Sequence, residues 1–328
     1  MKLALVIPGR RAFFGPKSPI PIYLGSSYKF GEALRQLCDV EVLEDDEPDL
    51  ASRVKSCDGA VVKGDRDTAY RLATSLGKPY MLIWHDVASM RDATGGHEES
   101  ERAMAAGAAS VVFISEPTHV FCEWHYKLPR HDVIALRPLE RDLDFVPLPK
   151  LPGKTLVYVG GIMEASKAST PWGYRCIHQA LAAALSAGWQ VHVYPSLPRP
   201  KATYELQHLG CSVHTAVHEV MLPRELSQYT AGLQAFNEAG VPKAALGYAR
   251  LAWPNKTWLY LSAGIPTIGT NPGFESPRIY GGKWGVCLSS LDDFDGLDPA
   301  ALPLITKELR HSQTIEHDLE TLRGLLPC

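Results

Sequence analysis

The feature that most constrains the fold is an alternation of short β-rich runs with helical patterns, which occurs twice along the chain. In the first half, near-continuous apolar runs stand at 3–8, 40–43, 59–63, 80–84, 111–115 and 133–136. The alternation restarts after residue 154, with runs at 155–161, 190–196, 212–216, 232–236, 266–270 and 285–290. Apolar runs of this length are typical of strands buried on both faces of a parallel sheet. Strands that alternate with helices predict βαβ units and an α/β fold.

A proline-rich segment separates the two halves. The stretch DFVPLPKLPGK (144–154) is too rich in proline for a helix or a central strand, so it predicts an interdomain linker. We therefore expect a first domain over 1–146, a linker over 147–154 and a second domain over 155–308. The remaining residues, 309–328, predict a closing helix.

The helix between the first two strands of the second half is well marked in the sequence. Thr170 can cap it, Pro171 fits its first turn and Gly188 can end it. One face of this predicted helix carries its apolar residues, Ile177, Leu181, Ala184 and Leu185.

Composition excludes several classes of protein. The 328 residues are 45% hydrophobic and 21% charged, with no apolar run long enough to span a membrane. The seven cysteines are scattered without a C-x-x-C pair, which predicts reduced thiols in the cytoplasm, and neither a disulfide framework nor a zinc site. A net charge of −3 lacks the basic bias of most nucleic-acid-binding proteins.

Two basic elements at predicted helix starts could bind phosphate. Gly160 and Gly161 follow a strand and allow close approach of the backbone to a ligand, and Lys167 follows at a suitable reach. The helix predicted near Thr170 would add free N–H groups. Asn255 and Lys256 begin a second predicted helix. Together these elements predict a diphosphate site that needs no metal, although an ordinary βα turn with solvated lysines remains the alternative.

A carboxylate follows the fourth strand of the first half. Asp86 comes directly after the run YMLIWH, where the sites of α/β proteins are built. It could act as a general base toward a hydroxyl group, and His85 is a second candidate. The alternative is that Asp86 caps the following turn.

The loop after the first strand is unusually long and rich in aromatic and basic residues. Loops of this length are uncommon unless they are functional. Its candidate binding residues are Arg10, Arg11, Phe14 and Lys17, which could contact phosphates or stack on a base or sugar. The alternative is a packed loop that buries its own aromatic side chains.

Five stretches of the chain resemble motifs of the GT-B glycosyltransferases of the GT4 type. They are WHDVASM (84–90), FISEPTHVFCEWH (113–125), VIALRPLERDLDFVP (133–147), TLVYVGGIMEASKAS (155–169) and NKTWLYLSAGIPTI (255–268). The resemblance implies two Rossmann-like domains with parallel sheets facing a central cleft, and a C-terminal helix that packs back on the N-terminal domain. It also implies a nucleotide-sugar donor bound by the second domain, with a UDP-sugar expected and no further cofactor.

Two positions depart from the family pattern. Leu259 stands where the family has a glutamate that grips the ribose, and Gly161 stands where many members have an arginine. Glu238, at the end of a predicted strand, is the nearest acid that could substitute. These departures leave open an altered donor or a chain that binds without catalysis.

The position of Asp86 resembles that of the base in the T-even phage DNA β-glucosyltransferases, which are also compact GT-B enzymes. The sequence therefore predicts a cytoplasmic enzyme that transfers a hexose, glucose by preference, from a nucleotide-sugar to a hydroxyl. A 5-hydroxymethylpyrimidine in duplex DNA is the expected acceptor. A carbohydrate or lipid-linked saccharide acceptor, a nucleotide-sugar epimerase and a non-catalytic nucleotide-sugar-binding protein are the alternatives.

Overall fold

The structure is a computed structural model of the chain. It describes residues 1–7, 26–63, 67–84, 97–135, 137–196, 199–217, 219–251, 255–271 and 284–327. Within these residues the chain divides into two compact units. The first unit comprises the described residues up to Leu139 together with those from Thr314 onward, and the second runs from Glu140 to Gln313.

The first unit is built on a six-stranded parallel sheet with strand order β2-β1-β3-β4-β5-β6. Its strands are β1 (Lys2–Ile7), β2 (Asp39–Glu44), β3 (Gly59–Lys63), β4 (Tyr80–Trp84), β5 (Ser110–Phe113) and β6 (Arg130–Val133). The inner strands are buried because both of their faces are covered, as their near-continuous apolar sequences predict.

Five α-helices lie between the strands of the first unit in the described part of the chain. They are α1 (Ser26–Arg35), α2 (Leu50–Lys55), α3 (Asp67–Ser75), α4 (Glu98–Gly107) and α5 (Glu116–His125). Ser115 caps α5, since its hydroxyl accepts a hydrogen bond from the Thr118 N–H at 3.3 Å. Trp84 stacks against Phe113 and Tyr126 inside this core, with ring centroids 5.8 and 5.2 Å apart.

The second unit repeats the design with a six-stranded parallel sheet of order β12-β11-β10-β7-β8-β9. Its strands are β7 (Thr155–Gly160), β8 (Gln190–Pro195), β9 (Ser212–Val213), β10 (Ala231–Gln234), β11 (Thr267–Gly269) and β12 (Gly285–Cys287). From β7 the chain adds β8 and β9 toward one edge of the sheet. It then returns to place β10 on the other side of β7 and adds β11 and β12 toward the opposite edge. This is the strand order of a Rossmann fold.

Helices cover both faces of the second sheet. They are α6 (His178–Ser186), α7 (Pro200–Leu209), α8 (Leu222–Leu226), α9 (Lys243–Leu251), α10 (Asn255–Ala263) and α11 (Lys307–His311). Neighbouring residues of β7 point to opposite faces. Leu156 packs with Leu181 of α6 and Leu206 of α7, whereas Val157 packs with Tyr260 of α10.

The sixth strand of the first sheet begins earlier than the sequence predicts. The apolar run at 133–136 predicts a strand, but β6 spans Arg130–Val133 and pairs with β5 from Ser110. β6 is an edge strand, so it needs no continuous apolar sequence. Ile134 is fully buried and follows the strand, its N–H donating to the Phe113 carbonyl at 2.8 Å.

The segment predicted as a linker is bonded to the second unit. The Leu148 N–H donates to the Ser227 hydroxyl at 2.9 Å, and the Lys150 ammonium donates to the Tyr229 carbonyl at 2.7 Å. The Leu151 N–H donates to the Gln228 carbonyl at 2.9 Å. The prolines prevent this segment from forming a regular helix or strand. Its N–H groups and its lysine therefore pair with the second unit instead.

The closing segment consists of short helices. It contains α11, a 3₁₀ helix over Ile315–Asp318 and α12 (Leu319–Gly324). The last residues are bonded within the first unit, where the Arg130 guanidinium donates to the Gly324 carbonyl at 2.9 Å and the Ser110 hydroxyl donates to the Leu325 carbonyl. No helix in the described part of the chain is both long enough and apolar enough to cross a membrane.

Candidate nucleotide-binding site

The second sheet has its topological switch point between β7 and β10, where the direction of strand order reverses. Open α/β sheets bind ligands at such a point, outside the carboxyl ends of the strands. β7 and β10 are directly paired only near their starts, with Leu156 opposite Ala231 and Val157 opposite Gly232. The two strands therefore leave a crevice toward their carboxyl ends, which we call the switch-point crevice.

A tyrosine hydroxyl bridges the two strands inside this crevice. The Tyr260 hydroxyl accepts from the Val159 N–H of β7 at 3.1 Å and donates to the Leu233 carbonyl of β10 at 3.0 Å. Its ring lies over Gly232, where an added Cβ would come within 2.3 Å of the ring. Only glycine fits at that position, so sheet and helix α10 are locked together at the switch point.

The same helix carries Lys256 to the crevice. Lys256 precedes Tyr260 by one helical turn, so the two side chains share a face of α10. The Lys256 ammonium lies 4.1 Å from the ring centroid of Tyr158 and 6.0 Å from that of Phe236. Tyr158 belongs to β7, and Phe236 follows β10. Lys256 is thus held between the ends of the two strands.

Glycine allows this placement of the lysine at the end of β7. Gly160 has a φ of +136°, a backbone conformation that other residues rarely adopt. A Cβ on Gly160 would stand 3.7 Å from both Cε and Nζ of Lys256. The Lys256 side chain therefore passes directly over the Gly160 backbone.

A second cation lies over the neighbouring glycine. A Cβ on Gly161 would stand only 3.1 Å from Nη1 of Arg175 and 3.3 Å from its Cδ. The Arg175 guanidinium also lies 4.8 Å from the ring centroid of Trp172 and 5.4 Å from that of Tyr174, which hold it in place. Arg175 thus occupies the space beside residue 161, where the GT4-type pattern has an arginine of its own.

The two cations have no carboxylate partner in the described part of the chain. Burial and, to a smaller extent, the charge of Arg175 together lower the pKa of Lys256 to about 7. No acidic group contributes to this shift. Two positive charges beside a glycine pair, at the switch point of a Rossmann sheet, can bind a doubly negative ligand such as a diphosphate.

Two uncharged polar side chains near the crevice also lack partners among the described residues. Gln234, the last residue of β10, is fully buried, and neither polar atom of its amide has a hydrogen bond. Asn255 begins α10, and its Oδ1 is buried without a partner. Buried polar groups are normally paired, so these amides have hydrogen-bonding capacity to offer a polar ligand.

The helix predicted from Thr170 is wrong in its start. The α-helix begins at His178, and the residues before it form turns and a 3₁₀ helix over Gly173–Arg175. The cause is local, because a Cβ on Gly173 would come within 1.8 Å of the Ala168 carbonyl oxygen. The chain packs too tightly there for a regular helix, so the free N–H groups expected beside Lys167 are not those of an α-helix.

The remaining predicted donor residues occupy different positions. Lys167 ends a 3₁₀ helix over Ala165–Lys167 and has an exposed side chain. Glu238 is exposed, accepts from the Asn271 side-chain amide at 2.9 Å and lies 3.9 Å from the Arg250 guanidinium. Asn271 also accepts from the Phe236 N–H at 2.8 Å, so it orients the loop after β10.

Leu259 does not present a polar group to the crevice. Its side chain packs against the apolar cluster that contains Val157, Leu226 and Tyr229. The departure from the family glutamate is therefore accommodated as part of the core. The predicted catalytic residues His85 and Asp86 and the predicted acceptor residues Arg10, Arg11, Phe14 and Lys17 lie outside the described residues.

Arg175 and Tyr260 are the site residues that sequence reasoning missed. The sequence places Tyr260 only in the helix predicted from Asn255, and it places Arg175 inside the helix expected from Thr170. Gly161 stands where the family pattern has an arginine, and this departure was the signal in the sequence that an arginine from another position could fill that space. It could not indicate which arginine would do so.

Comparisons with solved structures identify the fold. The Anabaena protein Alr3699/HepE, in complex with UDP and glucose, matches 99% of this chain and 95% of its own, at 11% identity and a TM-score of 0.63. The apo form of the lipopolysaccharide outer core galactosyltransferase WaaB matches 98% of this chain and 100% of its own, at 14% identity and a TM-score of 0.55.

A third structure widens the set of activities found on this fold. A Listeria monocytogenes protein provisionally assigned as a UDP-N-acetylglucosamine 2-epimerase matches 98% of this chain and 94% of its own, at 10% identity and a TM-score of 0.53. No protein-family model and no curated protein matches the chain. The matches confirm the predicted α/β fold of GT-B type, while the resemblance to phage DNA β-glucosyltransferases stays a prediction.

Proposed function

We propose that the chain is a nucleotide-sugar-dependent glycosyltransferase whose second unit binds the donor diphosphate between Lys256 and Arg175. The observation that carries the proposal is the pair of cations over Gly160 and Gly161, for which the described residues provide no acidic partner. The fold supports it, since one structural neighbour is a galactosyltransferase and another holds UDP and glucose.

The chemistry of transfer explains why cations belong at this position. When the bond between the anomeric carbon and the diphosphate breaks, negative charge grows on the leaving diphosphate. Fixed cations close to that charge stabilise the transition state more than the ground state. Lys256 and Arg175 are held by aromatic rings and by helix α10, so little reorganisation is needed during the reaction.

The donor is proposed to be a UDP-hexose, with glucose as the sugar to test first. The UDP and glucose bound to the structural neighbour from Anabaena support this choice. Glu238 is proposed to take the place of the family's ribose-binding glutamate, and the Asn271 amide donates to its carboxylate at 2.9 Å.

The acceptor side of the proposal comes from the sequence of the first unit. β4 belongs to the parallel sheet and ends at Trp84, and His85 and Asp86 follow it directly in the sequence. Asp86 is proposed as the base that deprotonates the acceptor hydroxyl. A 5-hydroxymethylpyrimidine in duplex DNA is the first acceptor to test, ahead of a free or lipid-linked saccharide, and Arg10, Arg11, Phe14 and Lys17 are the proposed contacts.

A second candidate function is nucleotide-sugar binding without transfer. Leu259 favours it, because an apolar side chain in the core replaces the glutamate that the family uses at the ribose. Binding and transfer can be separated by one variant. If the chain is a glycosyltransferase with Asp86 as its base, the Asp86→Asn variant should keep its affinity for UDP-glucose and lose transfer. Absence of transfer by the unaltered chain to every acceptor class would favour the binding protein.

The donor site is tested by calorimetric titration of UDP, GDP, TDP and their glucose derivatives. One nucleotide family should bind, and Lys256→Ala and Arg175→Ala should each raise its Kd by about ten-fold or more, as expected for a lost charge-assisted contact. Lys307→Ala and Arg224→Ala remove exposed cations of the same unit and should leave the Kd unchanged within about two-fold. Equal affinities in all four variants would overturn the site.

A further inference from the structure

Helix α5 and the edge strand β6 of the first unit bring together three side chains that can ligate a metal ion. They are His119 and Glu123 of α5 and His131 of β6, and one ligand atom from each lies within 4.8 Å of the other two. His119 and Glu123 are four residues apart and share a face of the helix. The imidazole rings of His119 and His131 have centroids 5.0 Å apart.

His131 is already oriented as a metal-binding histidine would be. Its Nδ1 lies 2.6 Å from the Pro129 carbonyl oxygen, which can only accept a hydrogen bond. Nδ1 therefore carries the proton, and in the neutral ring the lone pair is on Nε2. That atom lies 3.7 Å from Oε1 of Glu123, too far for a hydrogen bond. Metal-ligating histidines commonly donate their other ring N–H to a backbone carbonyl in this way.

His119 supplies the strongest independent indication of a missing partner. Both of its ring nitrogens are buried, and neither has a hydrogen bond. The nearest carboxylate oxygen, Oε1 of Glu116, is 3.8 Å from Nδ1. The ring packs against Phe113 with centroids 5.1 Å apart, so it cannot turn freely toward water. An imidazole buried without a partner costs free energy, and coordination of a metal ion would remove that cost.

We propose that His119, Glu123 and His131 form a binding site for a transition-metal ion of the zinc class. Two imidazoles and one carboxylate suit Zn²⁺ and its neighbours, whereas Mg²⁺ and Ca²⁺ prefer ligand sets made of oxygen. Zinc bonds of about 2.0–2.2 Å place neighbouring ligand atoms of a tetrahedron roughly 3.3 Å apart. Metal binding would require the half-exposed Glu123 side chain to rotate and the two rings to shift, so that the three atoms close from within 4.8 Å to that spacing.

The proposed ion would tie α5 to the edge of the first sheet. Three protein ligands leave a fourth position for water or another small ligand. β6 stands at the end of the strand order, where a strand is held by only one neighbour, and a metal bond would add a second attachment. A histidine-spacing pattern such as H-x-x-x-H does not reveal this set, because its members are a His and a Glu on a helix and a His on a strand.

The test is a titration of the EDTA-treated full chain with Zn²⁺, followed by calorimetry and thermal unfolding. We expect one ion per chain and a higher melting temperature with Zn²⁺ but not with Mg²⁺. His119→Ala, His131→Ala and Glu123→Gln should each weaken binding by about ten-fold or more. His125→Ala is the matched control, since His125 lies on the same helix, is exposed and bonds through Nδ1 to the Phe121 carbonyl.

Three outcomes would overturn the proposal. Failure of the unaltered chain to bind one Zn²⁺, or retention of full affinity by Glu123→Gln, would exclude the site. Glu123 is half-exposed, so this variant should fold even if removal of a buried histidine prevents folding. Equal loss of affinity in His125→Ala would assign the binding to other surface histidines and would equally overturn the proposal.

Discussion

The protonation state of Lys256 should respond to an anion bound beside it, because the pKa of this lysine is far below its ordinary value. Burial and the neighbouring Arg175 hold its pKa at about 7 against an ordinary value of 10.5. Between these two values the unfolded chain binds more protons than the folded chain, so this residue makes stability rise with pH over that window. An anion bound beside the amine reverses the effect, because it favours the protonated form and raises the pKa.

Donor binding should therefore be linked to proton uptake. We expect the affinity for UDP-glucose to fall by about ten-fold between about pH 6.5 and about pH 8.5, as Lys256 loses its proton in the free protein. Calorimetry in buffers of different ionisation enthalpy measures the proton taken up directly. Lys256→Arg keeps its charge throughout this range and should bind with a nearly constant affinity. A pH dependence that persists in Lys256→Arg would show that another group is responsible.

Candidate residues that local sequence marks could be proposed from the sequence, whereas those that depend on packing could not. Gly160, Gly161 and Lys256 were candidates because a strand end and a helix start are marked within a few residues, and the structure places Lys256 against Gly160. Arg175 reaches Gly161 across the turns between β7 and α6, where Gly173 packs closely against Ala168. No pattern in the sequence encodes such a contact.

At the scale of elements, helix α10 positions the site through a single hydroxyl. The Tyr260 hydroxyl pairs with backbone groups of β7 and β10 at the place where the two strands no longer bond to each other. Both partners are buried, so they depend on this hydroxyl. The crevice between the strands and the placement of Lys256 one turn away therefore share a common support.

Tyr260→Phe should lower the free energy of unfolding by about 1–3 kcal/mol, because it leaves the Val159 N–H and the Leu233 carbonyl unpaired while the ring stays in place. Urea unfolding followed by circular dichroism measures the change. Tyr204→Phe is the control, since Tyr204 is 60% exposed and loses no buried bond. Equal stability of Tyr260→Phe and the unaltered chain would mean that the bridge is not needed.

Strands were predicted better than the helix starts and the edge strand. Each apolar run overlaps a strand because burial on both faces demands apolar residues throughout. The bounds of β6 were predicted poorly because an edge strand can be polar, and the sequence of β6, RHDV, is mostly polar. The helix expected from Thr170 failed because a cap and a proline are compatible with a turn as well as with a helix start.

At the scale of the whole molecule, the two halves repeat one architecture and carry different chemistry. The repeated alternation in the sequence was sufficient to predict two parallel sheets. The proposed donor site belongs to the second sheet, and its switch point, glycine pair and two cations support the proposal. The proposed zinc-class site belongs to the first unit and is independent of the donor site, so either can fail without the other.

The central claim is that the diphosphate of a nucleotide-sugar binds between Lys256 and Arg175. A crystal structure of the full chain with UDP-glucose tests it most directly. The account predicts phosphate oxygens within hydrogen-bonding distance of the Lys256 ammonium and the Arg175 guanidinium, beside the Gly160–Gly161 backbone. A diphosphate that contacts neither cation, or one that lies against Lys167 alone, would contradict it.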